Sequence, residues 1–190
     1  MIRLFIGPMY SSKTTTLLAR RERYELGGKK CIIIKYKNDI RYDDNAVVVT
    51  HSQYKHDALC ALKLSDVNHL IDNYDVIMID EIQFYTDAAF ICDLWANKGK
   101  IVECYGLSGD YKREPFEQIS QLIPLSDSIT HLTAIDKTNG EEAPFTFRIS
   151  NDTRQEVIGG EDMYIALSRK GYLKMYDKKT NENTEYSSTI

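Results

Sequence analysis

The run Gly7-Pro8-Met9-Tyr10-Ser11-Ser12-Lys13-Thr14 carries the residue types that grip phosphate. In a loop of the form G-x-x-x-x-G-K-[ST], backbone N–H groups curl around phosphate oxygens, the lysine reaches the β- and γ-phosphates, and the hydroxyl serves Mg2+. Gly7, Lys13 and Thr14 keep that spacing, and Ser12 stands where the second glycine belongs. If that position requires a left-handed backbone, its side chain costs on the order of 1 kcal/mol, which weakens nucleotide binding without abolishing it. The plainer reading is an ordinary strand-to-helix turn with a surface lysine.

The second chemical group is Asp80-Glu81, which ends the apolar run Val76-Ile77-Met78-Ile79. A carboxylate at a strand end holds Mg2+ directly or through water, and this is the usual companion of a phosphate loop. Acids capping a buried strand are common, so the weight comes from Asp80 occurring together with Lys13 and Thr14. Glu81, one residue on, can take the proton of an acceptor hydroxyl or orient a water. The first job makes a kinase and the second a nucleotide hydrolase.

Such groups need a scaffold. Apolar runs at residues 2 to 6, 31 to 36, 76 to 79 and 101 to 106 read as buried strands. Helical spacing covers 13 to 26 and 87 to 98, stopped by Gly27-Gly28 and Gly99. Strands alternating with helices predict an α/β fold with a mainly parallel sheet flanked by helices, and ligands at the carboxyl ends of its strands. The loop after residue 6 is at such an end. Beyond about residue 130 short segments (Thr130 to Ile135, Phe145 to Ile149, Met163 to Leu167) alternate with polar turns at Asn139-Gly140 and Gly159-Gly160, which predicts a small β-rich appendage. The expected division is a nucleotide-binding core over 1–130, a small domain over 131–173 and a polar, flexible tail over 174–190.

Composition narrows the field. The chain has 190 residues and a net charge of −4, with local basic runs such as Arg20-Arg21-Glu22-Arg23 broken by acid, so it offers no electrostatic reason to bind nucleic acid. No apolar run approaches the roughly 20 residues that span a bilayer, and Met1 leads almost directly into a core strand, so neither a membrane span nor a signal peptide is expected and the location should be cytoplasmic. Cys31, Cys60, Cys92 and Cys104 contain no C-x-x-C pair, which excludes a cysteine-rich zinc site and predicts reduced, structural thiols.

Taken in register, Gly7 to Ser11, Lys35-Tyr36 with Asp39-Ile40-Arg41-Tyr42, and Asp80-Glu81-Ile82-Gln83-Phe84-Tyr85 resemble the type II thymidine kinases, the cellular cytosolic and poxvirus group. Gly106-Leu107-Ser108-Gly109-Asp110-Tyr111 with Arg113-Glu114-Pro115-Phe116, Leu122 to Leu125, Leu132-Thr133-Ala134, and Val157-Ile158-Gly159-Gly160 with Tyr164 continue the likeness from residue 2 to about 172. The resemblance implies a RecA-like P-loop core with a lasso-bearing small domain, assembled as a homotetramer. It implies transfer of the ATP γ-phosphate to the 5′-hydroxyl of thymidine, with deoxyuridine as a possible second acceptor, in pyrimidine deoxynucleotide salvage. By similarity Glu81 is the base, Lys13 and Arg41 lie along the phosphates with Asp39 and the loop Gly7, Pro8, Met9, Tyr10, Ser11 and Ser12, and Thr14 with Asp80 serves Mg2+. The family pattern places Met9, Phe84, Leu107, Tyr111 and Phe116 around the base, with Thr146 and the Val157, Ile158, Gly159 and Gly160 backbone at its edge and Tyr164 closing the lasso. Flat apolar walls suit a pyrimidine, although each of these side chains alone would be read as core.

Three departures stand out. Ser12 replaces the loop glycine, and Ser108 stands where a relative usually has Asp. The family's two C-x-x-C pairs fall at Asp136 with Asn139 and at Ser168 with Gly171, so all four sulfur ligands are gone and no zinc is expected. Those losses keep open a second reading, a nucleotide-binding relative that serves as a regulatory or assembly subunit. A GTPase is disfavoured, since Asn97-Lys98-Gly99-Lys100 lacks the acid of a guanine-reading N-K-x-D.

Overall fold

The computed structural model describes residues 1–39, 47–49, 55–155, 157, 159–160 and 162–187. Strand β1 (Ile2–Gly7) runs into helix α1 (Lys13–Leu26) and then β2 (Cys31–Tyr36). The short β3 (Val47–Val49) and β4 (Lys55–Asp57) pair antiparallel, before β5 (Leu59–Ala61) and a 3-10 helix over Leu64–Asn73. Next come β6 (Val76–Ile79), helix α2 (Ala88–Asn97), β7 (Ile101–Leu107), helix α3 (Glu117–Leu122) and β8 (Ser128–His131). The order β5-β2-β6-β7-β1-β8 is parallel at every pairing, as the alternation of strand and helix predicts.

Sequential residues of each strand feed opposite faces. Leu4, Ile34, Ile79 and Cys104 pack with Ala88, Cys92 and Trp95 of α2 and with Leu64 and Ile71 of the long 3-10 helix. Phe5, Ile33, Met78 and Tyr105 point the other way, onto Leu17 and Leu18 of α1. Both faces are therefore covered, which explains why the strands read as unbroken apolar runs. A fully buried Glu103 on β7 fixes α1 against the sheet. Arg20 forms a salt bridge to it, and Tyr24 and Tyr105 donate their hydroxyls at 2.6 and 2.7 Å. Burial alone would raise the Glu103 carboxyl pKa, but hydrogen bonds from Arg20, Tyr24 and Tyr105 outweigh it and hold the group below its ordinary value. Because α1 begins at the phosphate loop, this anchor aims the loop as well.

The expected segment Thr130 to Ile135 is split. Its first part, β8, joins the main sheet beside β1, and β9 (Ala134–Ile135) turns away to pair with β10 (Glu142–Ala143). A second hairpin joins β11 (Phe145–Arg148) to β12 (Tyr164–Leu167). The polar stretch from Lys174, read from composition as a flexible tail, continues as helix through Ser187 in α4 (Arg169–Ser187). Tyr172 gives this helix its footing, with its ring 5.8 Å from Phe145 and 5.4 Å from Phe147, and Met175 packs on the same cluster. Farther along, Lys179 donates to the carbonyls of Arg148 at 3.0 Å and Ile149 at 3.3 Å. Cys31, Cys60, Cys92 and Cys104 are free thiols, and no helix among the described residues is long and apolar enough to cross a membrane.

Candidate functional site

The loop between β1 and α1 is built on special backbone. Tyr10 and Ser12 both take left-handed conformations, with φ of 65° and 58°. Ser12 thus occupies the position where a missing glycine has a cost. It also serves as the N-terminal boundary of α1 without any side-chain hydrogen bond to the helix, which leaves the helix start to receive an anion. Gly7 is needed for a different reason: a Cβ there would lie 2.5 Å from the Leu132 carbonyl oxygen and 2.6 Å from Ser11 Oγ. The buried Lys13 folds back on the loop, its Nζ 2.5 Å from the Pro8 carbonyl and 3.4 Å from that of Gly7. The Met9 N–H donates to Thr146 Oγ1 at 3.0 Å, and the Tyr10 hydroxyl donates to the Tyr164 carbonyl at 3.2 Å, so the β11–β12 hairpin grips the loop.

The carboxyl ends of neighbouring strands bring the other groups alongside. Thr14 Oγ1, in the first turn of α1, donates to Asp80 Oδ2 at 3.3 Å. A hydroxyl beside a carboxylate is the hard-oxygen pair that Mg2+ accepts. Among the described residues no three His, Cys, Asp or Glu side chains cluster as a metal site. Glu81 follows with φ 52°, a left-handed non-glycine residue at a strand end, where strain often marks function. Gln83 Nε2 donates to Glu81 Oε2 at 2.6 Å.

One cleft brings Glu81 together with Met9 of the phosphate loop. Glu81 lines it together with Met9, Phe84, Leu107, Tyr111, Phe116, Thr146, Val157, Gly159 and Tyr164. Phe84 and Phe116 meet edge to face with centroids 6.4 Å apart. Gly160 is not among the lining residues, because its carbonyl accepts the N–H groups of Met163 and Tyr164 and turns the chain into β12. Asp39 is buried just past β2 and does not line the cleft, while Arg41 and Ile158 lie outside the described residues.

Three lining residues escaped the sequence reading in particular. Arg148, only 1% exposed, donates to the carbonyls of Asp152, Arg154 and Gln155 and to the Tyr164 hydroxyl, and stacks 3.9 Å over the Tyr111 ring. The Tyr164 hydroxyl in turn donates to the Val157 carbonyl at 2.6 Å. Gln155 enters through this same loop after β11. Asp110 accepts the Lys112 and Glu114 N–H groups through Oδ1, each at 2.8 Å, and its Oδ2 is buried with no hydrogen-bond partner among the described residues. Asp110 as a residue lines the cleft, and a buried acceptor left unpaired carries a desolvation cost. The G-D-Y-K turn was visible in sequence, but nothing local told which oxygen would be left over.

Asp136, Asn139, Ser168 and Gly171 do come together, as a hydrogen-bonded brace. Asp136 accepts the Ser168 N–H at 2.9 Å and the Thr138 hydroxyl at 2.6 Å, Asn139 donates to Ser168 Oγ at 3.0 Å, and the Gly171 N–H donates to the same oxygen at 3.1 Å. A Cβ on Gly171 would run into the Asp136 carboxylate, which fills the space a side chain would take. One carboxylate already saturated by donors, with no thiolate or imidazole, does not fit Zn2+. Burial would raise the Asp136 pKa, but the Thr138 and Ser168 hydrogen bonds overcome that and hold it at about 2. Its contribution to stability is therefore full above the ordinary carboxylate pKa and is lost as pH falls toward 2. Asp136→Asn is expected to destabilise the protein by about 1–3 kcal/mol at neutral pH, the cost of weakening a buried acceptor. Thermal melts should show the wild type and the variant converging as pH drops from 4 to 2.

Comparison with known proteins agrees with this arrangement. The thymidine kinase family model matches residues 1–172. The thymidine kinases of variola virus and of vaccinia virus strain Western Reserve are each 44% identical to the chain over 172 residues, covering 90% of it and 96% of the viral proteins. That of raccoon poxvirus is 43% identical over the same coverage. A P-loop beside an acid-tipped strand and an aromatic cleft, matched over nine-tenths of its length, establishes that this chain belongs to the thymidine kinase family.

Proposed function

We propose that this chain transfers the γ-phosphate of ATP to the 5′-hydroxyl of thymidine. One observation carries the reading: Glu81 and the apolar walls line the same cleft, whose floor includes Met9 of the phosphate loop. A nucleoside lying between Phe84, Phe116 and Tyr111 presents its sugar toward the carboxylate and its base toward the lasso. Glu81 then takes the 5′-hydroxyl proton as the oxygen attacks phosphorus. Lys13 leaves its loop carbonyls for the phosphate oxygens, and the N–H groups at the start of α1 hold the charge that develops on them. Bound Mg2+, held by Thr14 and Asp80, would neutralise phosphate charge. Arg41 completes the phosphate contacts in this reading. The lasso excludes water and so favours the nucleoside over hydrolysis.

The test is incubation with Mg-ATP and a panel of nucleosides, with monophosphate product separated by chromatography. Thymidine monophosphate is the expected product; phosphate release without nucleoside would identify a hydrolase, and binding without turnover a regulatory subunit. By resemblance we further assign a homotetramer in the cytoplasm, without zinc; stoichiometric zinc in chelator-washed protein would overturn the last point. Ser12→Gly relieves a side chain at φ 58° and is expected to tighten ATP binding about fivefold, from about 1 kcal/mol of strain. Titration calorimetry checks it, and an unchanged Kd would show that the loop tolerates the serine.

A further inference from the structure

We propose that Gln83 is a positioning residue that holds the Glu81 carboxylate in its working orientation, with Gly106 providing the room it needs. The inference rests on Glu81 being the base. Gln83 sits in the one-turn 3-10 helix over Ile82–Phe84 directly after Glu81, and is 5% exposed. Its amide oxygen accepts the Leu107 N–H at the end of β7, at 3.1 Å, and its Nε2 donates to Glu81 Oε2 at 2.6 Å. The Leu107 N–H can only donate, which decides the orientation of the amide: oxygen toward β7, NH2 toward the carboxylate. A flipped amide would set two donors against each other at β7 and two acceptors against each other at Glu81.

The neighbouring strand is shaped for this bridge. A Cβ at Gly106 would lie 2.7 Å from Gln83 Oε1 and 2.7 Å from Ile82 Cγ2, so any larger residue displaces the amide. The bridge therefore ties the base, at the tip of β6, to β7, whose last residue Leu107 is a wall of the cleft. Glu81 itself carries a left-handed backbone, and a side chain leaving such a turn needs an outside partner to fix its direction. The amide supplies it without adding a charge or competing for the transferred proton.

A structural role alone would alter stability or both kinetic constants, whereas a role exerted through the base alters kcat. Gln83→Met removes both hydrogen bonds, and Gln83→Glu keeps an acceptor for Leu107 while placing a second carboxylate against Glu81. Both should lower kcat for thymidine about 30-fold, with KM for thymidine and for Mg-ATP within threefold of the wild type. In a Glu81→Gln background, measured by single-turnover assay with radiolabelled ATP, Gln83→Met should have no further effect on the rate. Equal kcat in wild type and both folded Gln83 variants, or full additivity in the double variant, would overturn the inference while leaving the base intact. An active Glu81→Gln enzyme would instead overturn the reading of Glu81 on which it rests.

Discussion

Glu81→Gln should lower the rate of thymidine phosphorylation by about three orders of magnitude, within the range typical of removing a general base. The substitution keeps the size of the side chain and removes the lone pair that accepts the proton. Glu81 has few substitutes: among the described residues lining the cleft the other carboxylate is Asp110, whose Oδ1 is committed to two backbone N–H groups. Mg-ATP binding should be unchanged, because the loop, Lys13 and Thr14 are untouched. Radiolabelled single-turnover assays and nucleotide titration separate the two effects. A rate within tenfold of wild type would show that the 5′-hydroxyl needs no base here.

The second large effect concerns a charge that has no carboxylate. Among the described residues Arg148 forms no ion pair, yet it is buried, its guanidinium saturated by the carbonyls of Asp152, Arg154 and Gln155, the Tyr164 hydroxyl and the Tyr111 ring face. Arg148→Met leaves those carbonyls without donors and removes the platform under Tyr111. At about 3 kcal/mol, the upper end for hydrogen bonds to a charged group, KM for thymidine should rise roughly 100-fold. The two sheet-face clusters do not include Arg148, so the main melting transition should stay within a few degrees. Mg-ATP affinity should hold. Loss of ATP and thymidine binding together would mean that Arg148 supports the whole domain instead of the lasso.

Much of this was legible in the sequence because the signals were local. The spacing Gly7, Lys13, Thr14 and the acid after Ile79 fall within single strand–loop–helix units, and unbroken apolar runs gave the parallel strands. Ser12 was readable as a potential site of strain, and the backbone there does have positive φ. The clamp formed by Arg148 was not legible: its partners sit across a hairpin and a loop, and nothing in the run Phe147-Arg148-Ile149 marks the arginine as buried. The Gln83–Leu107 bridge joins residues 24 apart, and Gly106 gives no hint in sequence that its missing side chain makes room for a 3-10 turn after the neighbouring strand. Helix α4 was missed because composition weighs Lys174 onward as polar, while its footing is Tyr172 on Phe145 and Phe147 and the reach of Lys179 back to β11.

The brace at Asp136 has a consequence for the conditions the molecule endures. A ribbon clasped by sulfur comes apart when peroxide converts its thiolates to sulfenic acid, and the domain it staples loosens with it. Oxygen and amide nitrogen hold the equivalent turns here. Peroxide therefore finds no target in this clasp, and the two turns it joins should stay together under oxidising conditions.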